Sequence, residues 1–382
     1  MAAPTYFKSL DGFRALAVCM VLLIHSRWLP IGWVGVQMFF VLSGFLITRI
    51  LVSQKQERFS NYVSRFYWKR SLRIWPLYFL FFGLCATAFF LIRVPETFNT
   101  AWLALVSYTY NFACISPRFN DSDYFGHFWT LCIEEQFYLV WPFVVYFLSV
   151  QKLRRFVILL IIIGPAIRLL TGAAFAFVLV TPHQIQKAVH NMPTSHIDAF
   201  ACGALLVVLS ADWRDWLACR SRQILFNIGA VTILCGLANS CLLAVRSLPP
   251  HWQALGYADM VYLYQYVWGY TLLNLTSASL ILCLIENHFL PSVFQNPVVV
   301  YLGTISYGIY VWHLPLLHIL FSLWPVDFHS LSGFARLLTL FALTVLTASA
   351  SYYCFERFFL QMKQFKPGEA ASAISKAVGM IR

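Results

Sequence analysis

The sequence predicts an all-α integral membrane protein with about ten transmembrane helices and both termini in the cytoplasm. Three observations carry that expectation. Hydrophobic residues make up 60% of the 382 positions and charged residues only 11%, less than half of the roughly 25% charged residues usual in a water-soluble domain. The apolar residues fall in runs of about 20, the length that crosses roughly 30 Å of hydrocarbon. Finally, Lys and Arg crowd alternate ends of those runs, as cytoplasmic loops require.

On that template the spans fall near residues 10–28, 33–52, 73–92, 133–150, 156–172, 194–211, 225–245, 260–285, 298–322 and 331–355. The first run carries Asp11 and Arg14 and has no small-residue cleavage site, so it reads as a permanent helix and not a signal peptide. Region 98–130 is apolar but broken by Asn, Asp, Pro and Gly, and reads as partly re-entrant or interfacial. With the N-terminus inside, alternation gives the cytoplasm Lys8, Arg49, Lys55, Arg65, Lys69, Arg70, Arg73, Arg154 and Arg214. The outside receives only Arg27, Arg93, Arg118, Lys187 and Arg246. Residues 1–360 thus form one transmembrane domain. Residues 361–382 form a short, polar, Ala/Ser-rich cytoplasmic tail with the composition of a disordered segment.

Charge and cysteine usage exclude other classes. The net charge of +12 sits at helix ends and not in a surface patch, so it points to topology and to anionic headgroups or ligands, with no nucleic acid partner. The ten Cys are scattered singly without C-x-x-C or zinc spacing, which reads as small core residues and no metal. No Walker A loop, GxGxxG, HExxH or GxSxG elbow occurs, which disfavours motor ATPases, zinc proteases and elbow-serine hydrolases.

An ionisable side chain inside a bilayer costs at least a few kcal/mol, so each one asks for a reason. Arg14 and His25 are eleven residues apart in the first span, close to three turns, so they share a face about 16 Å apart along the axis. Snorkelling of the Arg plus a hydrogen-bonded core His is the plain alternative. Arg70 and Arg73, three apart at the start of the third span, also share a face and suit multiple phosphates, or else simply anchor the helix. The pair Glu134 and Glu135 enters the fourth span with Thr130 and Tyr138 one turn to either side of Glu134. Those acids are either satisfied structurally or form a cradle for a hydroxyl or a catalytic His. Asp198 and Gly203 lie in the sixth span, and Ser306, His313 and His318 in the ninth. His313 precedes Leu314-Pro315, where Pro frees a carbonyl that a packed His satisfies as readily as a catalytic one would act.

These segments add up to a family resemblance over roughly residues 5–360. Leu10-Asp11-Gly12-Phe13-Arg14-Ala15-Leu16-Ala17 followed by His25 resembles the Arg-x10-His signature of the acyltransferase-3 superfamily, polytopic membrane O-acyltransferases that acetylate surface polysaccharides. The block Gly35–Ile47, the pair Arg70-x-x-Arg73, and Trp129-Thr130-Leu131-x-x-Glu134-Glu135-Gln136-Phe137-Tyr138 are similar to its next motifs. His196-Ile197-Asp198 with Gly203, Leu302-Gly303 through Trp312-His313-x-Pro315, and Ser351-Tyr352 with Glu356 resemble its later ones. Two positions depart from the pattern: Gln37, near which the family commonly has an acid, and His196, where Arg is common.

The resemblance implies an enzyme of the bacterial inner membrane, multi-pass, that moves an acyl group, usually acetyl, from acyl-coenzyme A (acetyl-CoA) to a hydroxyl of an extracytoplasmic glycan or glycolipid. It implies Arg14, Arg70 and Arg73 as ligands for the nucleotide phosphates, His25 as general base or acyl carrier, and Glu134 as the group that orients or charge-balances His25. Some members add an extracytoplasmic esterase-like domain, so this sequence is expected to be of the stand-alone type. The alternative is an ion-coupled transporter or flippase using the same buried charges as a proton relay, against which stands the absence of a visible internal repeat.

Overall fold

The computed structural model describes residues 6–92, 97–116, 119, 122–178, 181–248, 252–255, 257, 265–325, 327 and 330–365. The expected tail therefore lies, from residue 366 onward, outside the described residues, as do parts of 98–130 and residues 260–264. No strand occurs among the described residues. In chain order the helices are α1 (Lys8–His25), α2 (Val34–Ser53), α3 (Phe59–Ile92), α4 (Thr97–Val106), α5 (Tyr110–Ala113), α6 (Trp129–Phe147) and α7 (Val150–Ala176). They continue as α8 (Pro182–Asn191), α9 (Ile197–Val245), α10 (Gln265–Ile285), α11 (Pro291–Phe294), α12 (Pro297–Thr304), α13 (Ser306–Leu323), α14 (Leu331–Ser351) and α15 (Arg357–Gln361).

Seven helices are long and apolar enough to cross a membrane, and the pair α12 and α13, bent by 70°, makes an eighth if taken as one span. The other two expected spans fall on α1 and α6, of 18 and 19 residues. Both carry the ionisable residues that lower their hydropathy. The expected spans 194–211 and 225–245 are two helices, both within the stretch labelled α9, that meet at a kink at Trp213 (φ −128°, ψ 20°). Helix α3 runs 34 residues, about 51 Å, longer than the hydrocarbon is thick. Arg65, Lys69, Arg70 and Arg73 ride on its first half.

Local chemistry sets several boundaries. Ser149 accepts from the Lys152 N–H to start α7, and Thr181 forms a reciprocal capping box with Gln184 ahead of Pro182 in α8. Asn296 caps α12 ahead of Pro297, and Ser330 caps α14. Such side-chain acceptors satisfy amide protons that have no helical partner.

Helix α1 lies inside the bundle, against α2, α10, α12 and α13. Two glycine contacts make this closeness possible. A Cβ on Gly303 would stand 1.8 Å from the Asp11 carbonyl oxygen, and one on Gly203 would stand 1.9 Å from that of Val41. Backbone meets backbone at both crossings, the way membrane helices pack without a hydrophobic driving force. The first crossing holds α1 on α12, and the second holds α2 on α9.

Candidate functional site

Five helices converge on a cavity of about 130 Å³ that contains every cation the sequence singles out. Arg14 comes from α1, Ser43 from α2, Arg70 and Arg73 from α3, and Thr130, Glu134 and Tyr138 from α6, with Tyr307 and Tyr310 of α13 closing it. The spacing explains the convergence. Thr130, Glu134 and Tyr138 repeat every four residues and so line one face of α6.

The charges are held and not loose. Asp11 takes hydrogen bonds from both Tyr6 and Arg14. Burial and that carboxylate push the Tyr6 phenol up to about 12, so it stays a donor. Ser43 Oγ donates to Glu134 Oε1 at 2.6 Å, and the Tyr138 hydroxyl donates to Ser43 at 3.2 Å. The Arg70 guanidinium stacks 5.6 Å over the Tyr138 ring. A five-residue π turn, Tyr352–Glu356, buries Glu356 beside Gly308 and within electrostatic reach of Arg73. Three guanidinium groups line one wall, each offset by a carboxylate (Asp11 at Arg14, Glu134 near Arg70, Glu356 near Arg73), and their planar forks match phosphate geometry.

His25 does not line this cavity. It closes α1, and its ring belongs to a second cluster with His313 and His127, each successive pair of centroids 5.0 Å apart. Hydrogen bonds fix the tautomers. His313 Nδ1 lies 2.6 Å from the Tyr310 carbonyl, which only accepts, so Nδ1 carries the proton and Nε2 the lone pair. His25 Nδ1 faces two acceptors, the Val21 carbonyl at 2.9 Å and His313 Nε2 at 3.1 Å. It must therefore be the N–H. The lone pair of His25 is left on Nε2, which has no hydrogen-bond partner among the described residues. That is the arrangement of a poised base: one nitrogen held, the other open.

A short polar chain connects the two clusters. Thr130 Oγ1 and the Tyr310 hydroxyl lie 2.5 Å apart, and each also donates to or shares the His127 carbonyl, at 3.0 Å and 2.9 Å. Arg14, Arg70, Arg73 and Glu134 are thus brought together, with His25 beyond them past Thr130 and Tyr310. No hydrogen bond joins Glu134 to His25 among the described residues; the Val21 carbonyl and His313 hold His25, and Ser43 holds Glu134. No group of three His, Cys, Asp or Glu side chains among the described residues is arranged to hold a metal ion.

Ser43, His127 and Tyr310 were not legible as site residues. Ser43 looks like one more small residue of an apolar block, and Tyr310 like one more interfacial aromatic. The usable signal was periodic: Ser306 and Tyr310 are four apart, as are Thr130 and Glu134. Arg168, in the middle of α7, was also missed. It is fully buried and paired with Asp198 at 2.8 Å. An isolated Arg in one span and an isolated Asp in another is the available hint.

The two departures from the family motifs meet. Gln37 Nε2 lies 3.0 Å from His196 Nδ1, and His196 Nε2 donates to the His190 carbonyl at 2.8 Å. Both side chains are buried, so a neutral pair stands where the pattern commonly has charges. Gln37→Glu or His196→Arg alone should leave a buried charge without its counter-ion and lower the unfolding temperature of the purified protein. The double variant is expected to recover about 1–3 kcal/mol of coupling. A double variant no more stable than the sum of the singles would show that the positions do not interact.

Comparison with known proteins identifies the family. The family profile described as Acyltransferase domain (Acyl_transf_3) matches residues 7–356. Peptidoglycan O-acetyltransferase OatA of Listeria monocytogenes is 29% identical over 327 residues, which is 82% of this chain and 49% of that protein. O-acetyltransferase OatA of Staphylococcus aureus is 37% identical over 158 residues, 39% of this chain and 26% of its own length. The chain therefore spans about half the length of the Listeria relative, and less of the staphylococcal one is matched. No solved structure matches the chain. A profile that begins one residue before α1 and ends at the buried Glu356 takes in both clusters, and the chain belongs to the acyltransferase-3 family.

Proposed function

We propose that this chain is a membrane O-acyltransferase that passes an acetyl group from acetyl-coenzyme A to a hydroxyl of an extracytoplasmic glycan or lipid-linked sugar. The observation that carries the reading is the placement of His25, whose Nδ1 lies 2.9 Å from the Val21 carbonyl and 3.1 Å from His313 Nε2 while its Nε2 has no hydrogen-bond partner among the described residues. Arg14, Arg70 and Arg73 bind the donor phosphates on the cytoplasmic side of a bacterial inner membrane, within the domain 1–360. Arg14 stands eleven residues before His25 on α1, about 16 Å along the axis, a gap the extended pantetheine arm of the donor spans. Glu134 and Ser43 offset and position the guanidinium groups, so Glu134 acts on the donor side and not on His25.

The step balances without a metal or redox partner. His25 Nε2 takes the proton of the acceptor hydroxyl as its oxygen bonds to the thioester carbonyl carbon. The C–S bond then breaks, and the coenzyme A thiolate takes the proton from His25. The name of the Listeria relative, peptidoglycan O-acetyltransferase, supports a carbohydrate acceptor.

Membranes containing the protein and labelled acetyl-coenzyme A test the donor assignment. Arg70→Gln and Arg73→Gln are expected to raise the KM for the donor about tenfold each, the loss of roughly 1.5 kcal/mol or more for a charged hydrogen bond. The maximal rate should change less. Equal donor KM in the wild type and both variants would move the phosphates elsewhere.

A further inference from the structure

At the end of the bundle where α1 begins, α2, α9 and α10 border a second cavity, of about 280 Å³. Phe7 leads into α1, Arg49 lies near the end of α2, and Glu286 follows the end of α10. Ser210 and Arg214 come from either side of the kink at Trp213. None of the residues lining it belongs to the arginine cavity or to the histidine cluster.

Its walls are graded from apolar to cationic. Phe45, Leu206, Leu217 and Leu282 are buried, whereas Ser210 and Arg214 are exposed at the mouth. Arg49 is half-buried, with its guanidinium 4.6 Å over the Phe7 ring. Arg214 makes no hydrogen bond or ion pair among the described residues, and the nearby Asp212 is taken by Arg154 at 2.5 Å. Two guanidinium groups against the single Glu286 carboxylate leave the lining with one positive charge.

A pair of indoles marks the depth of this mouth. Trp213 and Trp216, on either side of Arg214, are exposed and meet edge to face with centroids 5.8 Å apart. Exposed Trp in a membrane protein gathers at the headgroup level, where the ring is apolar and its N–H stays wet. Arg214 thus stands at the depth of lipid phosphates, and Leu206 and Val207, before the kink, lie deeper along α9.

We propose that this cavity binds a phospholipid of the adjoining leaflet, one with a monoanionic phosphodiester and a hydroxylated headgroup, of the phosphatidylglycerol type. The phosphate sits between Arg214 and Arg49, whose planar forks match its oxygens. The first part of one acyl chain lies along Phe45, Leu206 and Leu282, and Glu286 accepts from the headgroup hydroxyls. One surplus charge matches one phosphodiester and falls short of a polyphosphate. A free phosphate would leave the apolar wall wet, at a cost of about 25 cal/mol per Å², and a zwitterionic headgroup would leave the surplus charge unmatched. Phe7 follows Tyr6, which donates to Asp11, the partner of Arg14. A lipid seated against Phe7 therefore braces the start of α1.

Thermal unfolding and native mass spectrometry of the purified full chain in detergent test the assignment, with dioleoyl phosphatidylglycerol, dioleoyl phosphatidylcholine and inorganic phosphate as probes. Phosphatidylglycerol should raise the unfolding midpoint and remain bound at low lipid fraction; the other two should do neither. Arg214→Gln should weaken that binding about tenfold, the loss of a charged hydrogen bond. Its midpoint without lipid should match the wild type, since the exposed side chain holds nothing in the fold. Lys152→Gln removes an exposed cation at the same end of the bundle but outside the cavity, and should bind the lipid as the wild type does. Equal losses in the two variants would reduce the effect to diffuse attraction by the basic end and overturn the site, as would undiminished binding by Arg214→Gln. Equal stabilisation by inorganic phosphate or by phosphatidylcholine would overturn the anionic lipid as its occupant.

Discussion

His25→Ala is expected to lower acetyl transfer about a thousandfold, the middle of the roughly 10²–10⁴ that a positioned base contributes, while coenzyme A still stabilises the protein. The split follows from the geometry. The arginines that would bind the donor line a cavity His25 does not border, so removing the imidazole leaves that cavity intact. The neighbouring His313 acts differently. Its Nε2 only accepts from His25 Nδ1, so His313→Phe leaves the Val21 carbonyl as the remaining acceptor and should cost about tenfold, as a loosened orientation and not a lost base. Exogenous imidazole should restore part of the activity of His25→Ala and none of that of His313→Phe. Labelled acetyl-coenzyme A in membranes reads all three. Transfer by His25→Ala above a tenth of the wild-type rate would end the role given to this residue.

Much of this arrangement was legible in the sequence because two periodicities expose it. Arg14 and His25 fall on one face by simple helical spacing, and Arg70 and Arg73 do the same. The gathering of Arg14, Arg70, Arg73 and Glu134 around one cavity then needs only that α1, α3 and α6 meet. What orients His25 was not legible. Glu134 was the natural expectation because carboxylates commonly serve imidazoles, but the holder is a backbone carbonyl one turn back plus a second His from α13. A carbonyl leaves no mark in a sequence, and His313 carries the same pattern whether it packs or participates. The bend between α12 and α13 was hidden for a related reason. Residues 298–322 read as one apolar run, and the turn at Ile305 (φ −93°, ψ 7°) lies between them with no proline to announce it.

Arg168→Met is expected to destabilise the protein by about 3–5 kcal/mol, the usual cost of stranding one member of a buried ion pair. Arg168 is fully buried and gives its donors to Asp198, Thr271 and the carbonyls of Ser195 and Val267. Thr271 closes the ring by donating to the other Asp198 oxygen at 2.6 Å. Without the guanidinium, Asp198 keeps one hydrogen bond and a charge that has no counter-ion. The unfolding midpoint in detergent should fall by about 4–6 °C. Arg168→Met with Asp198→Leu removes both charges, and should recover more than half of that loss, because a matched apolar pair is often neutral in such a place. The network also ties the segment before α9 to α10. Stability regained would make the stranded charge the main loss; stability never regained would mean that the hydrogen bonds to Ser195 and Val267, and not the charge pair, hold these three helices together.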